Sequence, residues 1–223
     1  MTRRPELITF DCYGTLIDWF GGLAAALRKL GLPEGALEAV SERYVALEAE
    51  VEAGPYLPYR KVMAIALERA LEEYGRPLPA EQREILSDSL PRWRPFEETT
   101  TVLLELARGA ELAILSNIDN DLLEASVRVL EAPIRHRVTA QDVRSYKPAH
   151  DHFHRIQEIA GLGPDEILHV AASLRHDQEP CRELGLRSVW INRRNESRPA
   201  WLPEERVLTD LRRLPELAFG PQG

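Results

Sequence analysis

Cysteine is nearly missing from this chain: Cys12 and Cys181 are the only two among 223 residues. That excludes a disulfide framework of the kind that staples small secreted folds, and it excludes a thiolate metal cluster. Lysine is almost as rare, with Lys29, Lys61 and Lys147 alone against a total of 28 Lys and Arg. Acids number 36, and the resulting net charge of -8 has the wrong sign for gripping nucleic-acid phosphates. No apolar run approaches the roughly 18 residues that suggest a membrane span. The opening Met1-Thr2-Arg3-Arg4-Pro5 leads straight into an apolar strand and carries no signal-peptide core. Repeats and low-complexity tracts are also missing. The expectation is a cytoplasmic protein with neither a nucleic-acid nor a membrane partner.

The chain does hold 44% hydrophobic and 29% charged residues, the balance of one globular unit or of a core with an inserted subdomain. Leu7-Ile8-Thr9 reads as a short buried strand. From Asp18 to about Pro91 the pattern is helical, with no strand. Leu23, Ala26, Leu27 and Leu30 keep a three-to-four spacing that Gly31 ends, and Val40, Tyr44, Leu47 and Val51 form a stripe over 37–52. A third helix is expected over 59–74 and a fourth over 81–90, with Gly and Pro clusters between them. After Pro95, helices near 100–108, 121–130, 150–160 and 177–184 alternate with strands near 112–116, 137–140, 167–171 and 188–191. This alternation predicts an α/β fold, a three-layer doubly wound and mostly parallel sheet. The first strand must join that sheet. The expected division is therefore a core of 1–17 and 92–223 with a helical insertion at 18–91. The tail from Phe219 to Gly223 is expected to fray.

Four places on this framework carry chemistry. Asp11 closes the first strand, and Gly14 and Thr15 turn the chain after it, at the sheet edge where open α/β folds bind ligands. A carboxylate there can act as a nucleophile, forming an ester that water later cleaves. Ser116-Asn117 leaves the strand at 112–116 with a hydroxyl and an amide for an oxyanion or a leaving group. Lys147 beside a carboxylate would keep it ionised and lower its pKa. Asp177 could pair with Lys147 and orient a hydrolytic water, with His176 as a rival base.

In order and spacing, along nearly the whole chain, these four places resemble the haloacid dehalogenase superfamily. The resemblance implies Asp11 as nucleophile, Thr15 and Ser116 as binders of its carboxylate or of substrate, and Lys147 as its charge partner. It also implies that 18–91 is a cap over the site. Phosphatases of the superfamily usually carry a second Asp two residues after the nucleophile, and a metal-binding Asp in a Gly-Asp pair after the fourth strand. Here those positions are Tyr13 and Ala171-Ala172. A hard divalent ion needs several oxygen ligands, so no metal and no other cofactor is expected.

The form Asp11-Cys12-Tyr13-Gly14-Thr15-Leu16 is similar to that of the L-2-haloacid dehalogenases. From that likeness Tyr13 is expected to help bind substrate. Arg43, four residues before Leu47-Glu48, takes the halide-binding role, and Asn117 that of its amide partner. Phe153 stands where that branch has a substrate-binding tyrosine. The Ser and Asn after its fourth strand become Ala171 and, with a one-residue offset, Ser173. The segment Trp190-Ile191-Asn192-Arg193 also resembles this branch, with no chemical role attached. The implied activity is hydrolysis of a small 2-haloalkanoate to a 2-hydroxy acid with inversion, through an aspartyl ester, in a homodimer. The rival readings are a phosphatase with a degenerate metal site and a non-catalytic descendant that binds a ligand.

Overall fold

The computed structural model describes residues 4–220. A parallel sheet of β1 (Leu7–Phe10), β2 (Glu111–Ser116), β3 (Ile134–Thr139), β4 (Ile167–Ala171), β5 (Arg187–Ile191) and β6 (Val207–Leu208) has the order β3-β2-β1-β4-β5-β6. Its central strands β1, β2, β4 and β5 are buried on both faces because helices cover both, as parallel sheets require. The two-residue period sorts each strand between two cores. Ile8, Phe10, Leu112, Ile114, Leu168 and Val170 face the larger cluster, whereas Leu7, Ala113, Leu115 and Ile167 face the smaller one. Each Leu, Ile, Val or Phe among them, fully buried, contributes roughly 1.5–3 kcal/mol of hydrophobic stabilisation.

The order reverses at β1, which pairs with β2 on one side and β4 on the other. That is the switch point of a doubly wound sheet, and the crevice beyond it takes the ligand. Asp11 follows β1, Asn117 follows β2 and Ala172 follows β4, so one edge collects them.

Between β1 and β2 lie α1 (Trp19–Lys29), α2 (Glu34–Glu52), α3 (Tyr59–Glu73) and α4 (Ile85–Ser89), ahead of α5 (Thr99–Leu106). The chain leaves and re-enters along two paired segments: Asp18 N–H donates to Arg94 O at 2.9 Å and Phe96 N–H to Leu16 O at 3.0 Å. The Asp18 carboxylate caps α1 through Gly21 N–H. Gly22 has no freedom to vary, because a Cβ there would lie 2.2 Å from the Trp93 ring. The fourth helix expected over 81–90 is broken into a 3-10 turn at 80–82 and the short α4, with Pro91 stopping extension.

The remaining helices are α6 (Asn120–Leu130), α7 (Ala140–Val143), α8 (Asp151–Ala160), α9 (Glu179–Glu183) and α10 (Leu214–Phe219). Residues 174–178 form a wider π turn before α9, so the helix expected over 177–184 opens within that turn. The cysteines are free and buried. Phe219 closes α10, so of the tail expected to fray only Phe219 and Gly220 lie among the described residues. Among those residues no helix is long and apolar enough to cross a membrane.

Candidate active site

The chain after β1 turns at once. Gly14 has φ +88°, a conformation that side-chain-bearing residues rarely adopt, and Leu16 and Ile17 N–H both return to Cys12 O. This loop points the Asp11 carboxylate into the crevice. Thr15 Oγ1 donates to Asp11 Oδ2 at 2.8 Å while accepting Ala172 N–H at 2.9 Å. The backbone donor fixes which way the hydroxyl points. Thr15 thus holds the aspartate and has no free donor for a substrate.

Lys147 is buried, and its ammonium donates to Asp11 Oδ1 at 3.0 Å, Asp177 Oδ1 at 2.7 Å and Leu115 O at 2.9 Å. An ammonium has three N–H donors, and all three are used. Its backbone is held as tightly: Asn117 accepts Lys147 N–H through Oδ1 at 2.7 Å and donates to Lys147 O through Nδ2 at 3.0 Å. Asp177 Oδ1 also pairs with His169 Nε2 at 3.0 Å, and His169 Nδ1 meets Thr9 Oγ1 at 2.8 Å. His169 and Thr9 extend the network beneath the sheet edge. Sequence reading missed both, although a polar His and Thr within apolar strands were a signal.

One cation here serves two carboxylates, which settles unequally. Burial opposes the charge on Asp177, but Lys147 and then the His169 hydrogen bond outweigh it, so its pKa falls well below the usual carboxylate value. At Asp11 burial prevails over the Lys147 attraction and the Asp177 charge adds to it, so its pKa is raised. Lys147 does lower the pKa of Asp11, as expected, but burial and the Asp177 charge outweigh it. Burial favours the uncharged amine at Lys147, yet the two carboxylates raise its pKa. Burial lowers His176 to a pKa of about 4, leaving it neutral at pH 7.

A cleft of about 860 Å³ opens over Asp11, between the sheet edge and the inserted helices. Ser116 and Ser173 line it, but Ser173 Oγ accepts His176 N–H and so caps the following turn. Tyr13 lines it too, with its hydroxyl 2.7 Å from Ser126 Oγ and its ring edge-on to Trp93. The structure does not bring Phe153 or Arg43 here. Phe153 is buried in the smaller core against His169, on the stripe with Ile156 that faces the sheet. Arg43 lies on the outer side of α2, paired bidentately with Glu73 and at 3.5 Å with Glu50. One residue along a helix is a 100° turn, and Tyr44 takes the inward direction instead.

What α2 does point into the cleft is acid. Glu48 Oε1 accepts both Tyr44 Oη at 2.7 Å and Tyr59 Oη at 2.8 Å. Glu52, one turn later, reaches Asn117 Nδ2 at 3.4 Å and His176 Nε2 at 3.9 Å. Burial raises Glu48 to a pKa of about 7, and it pushes Glu52 well above the usual range with the Glu48 charge added. The four-residue spacing of Tyr44, Glu48 and Glu52 was the legible sign.

The segment after β5 braces the loop that follows Asp11. Arg193 donates twice to Thr15 O, pairs with Glu98 at 2.8 Å and stacks 3.6 Å over the Phe96 ring. Trp190 Nε1 donates to Ala172 O at 2.9 Å. A hard divalent cation does not fit this donor set. Ala172 offers no carboxylate, both Asp11 oxygens are hydrogen-bonded, and the Lys147 ammonium already sits 3.0 Å away. Among the described residues no three acidic, His or Cys side chains group as a metal site.

The profile of the haloacid dehalogenase-like hydrolases matches residues 5–178. The chain belongs to that family. No curated protein sequence matches it significantly. Among solved structures, the L-2-haloacid dehalogenase of Xanthobacter autotrophicus is 22% identical and aligns over 97% of this chain and 99% of its own, with a TM-score of 0.85. Another structure of that enzyme carries chloropropionic acid covalently bound. The L-2-haloacid dehalogenase RSc1362 is 25% identical with the same coverage and TM-score. The putative HAD-hydrolase YfnB of Bacillus subtilis, bound to magnesium, is 18% identical over 97% of this chain and 100% of its own, with a TM-score of 0.84. The fold is common to all three, and a fold alone does not fix the chemistry of its site.

Proposed function

We propose that this hydrolase cleaves a carbon–halogen bond in a small (S)-2-haloalkanoate without a metal ion. The observation that carries the reading is the Asp11 carboxylate, held by Thr15 and Lys147 with Ala172 where a metal-binding acid would stand. A carboxylate so oriented needs only an electrophilic carbon and a departing group able to leave as an anion. Similarity to dehalogenases, one of them carrying covalently bound chloropropionate, supports the same chemistry.

An Asp11 oxygen attacks C2 opposite the halogen, the C–X bond breaks with its electron pair leaving on X, and C2 inverts. The ester left on Asp11 is then cleaved by water at the carboxyl carbon, giving the (R)-2-hydroxy acid and restoring Asp11. Ser116 and the Arg175 guanidinium, both lining the cleft, attract the substrate carboxylate. Asp177, ionised and buried, anchors Lys147 so that positive charge stays beside Asp11 throughout. The test is halide release from each enantiomer of 2-chloropropionate with and without EDTA. The reading expects (S)-selective release that EDTA leaves unchanged. EDTA-sensitive phosphate release from a phosphate ester, with no halide release, would overturn it.

A further inference from the structure

The proposed displacement leaves one role unfilled. Neither Arg43, paired on the outer surface, nor Asn117, whose amide braces Lys147, stands ready to receive the leaving atom. In the cleft that Asp11 lines, the α2 wall presents Glu52 beside Asn117, with a side chain only 7% exposed.

We propose that Glu52 donates its carboxyl O–H to the halogen as the C–X bond breaks. This rests on the displacement reading above. The Asp11 oxygen forms its bond to C2, and the C–X electron pair goes to X. For chloride or bromide the proton stays on Glu52 in a hydrogen bond. Fluoride, a stronger hydrogen-bond acceptor whose conjugate acid is still more acidic than a carboxyl group, also departs as the anion, in a tighter hydrogen bond to the Glu52 O–H, which keeps its proton.

Three observations support a protonated Glu52. It is the last residue of α2, where the carbonyl end of a helix disfavours a negative charge. The Glu48 carboxyl sits one turn before it and already takes the Tyr44 and Tyr59 hydroxyls. The Asn117 contact at 3.4 Å is long, and burial favours the neutral form. The ionisable groups around it are Glu48 and Tyr44 from α2, Tyr59 from α3, Tyr146 and Lys147 before α8, and Arg175 and His176 after β4. Of these, Lys147 and Arg175 favour its ionised form, but Lys147 is engaged by two other carboxylates.

The test follows single-turnover formation of the Asp11 ester by peptide mass. It compares 2-chloro- and 2-fluoropropionate, across pH, in the wild type, Glu52→Gln and Glu52→Ala. Glutamine matches the size of glutamate and keeps a donor without a titrating proton, and thermal melts verify folding of both variants. Wild-type ester formation should fall at alkaline pH as Glu52 ionises. Glu52→Gln should lack that fall, lose less than about tenfold with chloride, and lose more with fluoride, the stronger acceptor. Glu52→Ala should lose about 10²-fold with both. Wild-type rates and an unchanged alkaline limb in both variants would refute the proposal. Absence of any ester in the wild type would instead remove the displacement reading, and this proposal with it.

Discussion

At the residue scale the decisive fact is that two carboxylates share one ammonium. Asp177 holds its charge easily and Asp11, the proposed nucleophile, does not. Its raised pKa means that the proposed activity, which needs the ionised form, is lost as pH falls through a value above the ordinary aspartate pKa. Asp177→Asn removes the charge that helps raise it. The acid limb of kcat/KM in that variant should move to lower pH, and a limb that stays or moves upward would contradict the shared-cation account. The linkage for folding runs in opposite directions at the two sites. Asp177, lowered on folding, contributes stability above the unfolded carboxylate pKa that is lost as pH falls through its folded pKa. Asp11, raised on folding, opposes folding once pH exceeds its folded pKa. Asp11→Asn should therefore abolish turnover yet melt at or above the wild-type temperature at pH 7, as differential scanning calorimetry will show.

At the scale of elements, strands were read more easily than the faces of helices. An apolar run such as Leu112-Ala113-Ile114-Leu115 announces a buried strand whatever it pairs with. The two-residue β6 carries too little pattern, and α10 begins at a Leu-Pro step that gives only a weak start signal. Asp11, Thr15, Lys147 and Asp177 were legible because strand ends fix where they go. Arg43 and Phe153 were not, because a sequence offset does not specify rotation about a helix axis. Phe153 did carry its own sign, the three-residue step to Ile156 on a core-facing stripe. Arg43→Ala removes a solvent-exposed ion pair. It should leave the urea midpoint nearly unchanged and halide release intact. Arg193→Ala behaves differently, since it strands the buried Glu98 and frees the Thr15 carbonyl. Urea unfolding should show a loss of about 3 kcal/mol, with kcat falling more than KM rises.

At the scale of the whole molecule, the sheet sets one carboxylate at its switch point and the inserted helices place acids over it. The family resemblance carried by four short motifs along the chain agrees with the profile match and with the parallel sheet. The acids of α2 lay outside that resemblance: their four-residue spacing marks one helix face, and the fold shows that this face meets the cleft. The reaction assigned to this arrangement turns on a bond between Asp11 and the substrate carbon. A single turnover of excess enzyme on (S)-2-chloropropionate in ¹⁸O-water, followed by mass analysis of the peptide holding Asp11, reads that bond directly. The account predicts ¹⁸O in the Asp11 carboxylate and none in the first-formed 2-hydroxy acid; label in the hydroxy acid with an unlabelled Asp11 would contradict it.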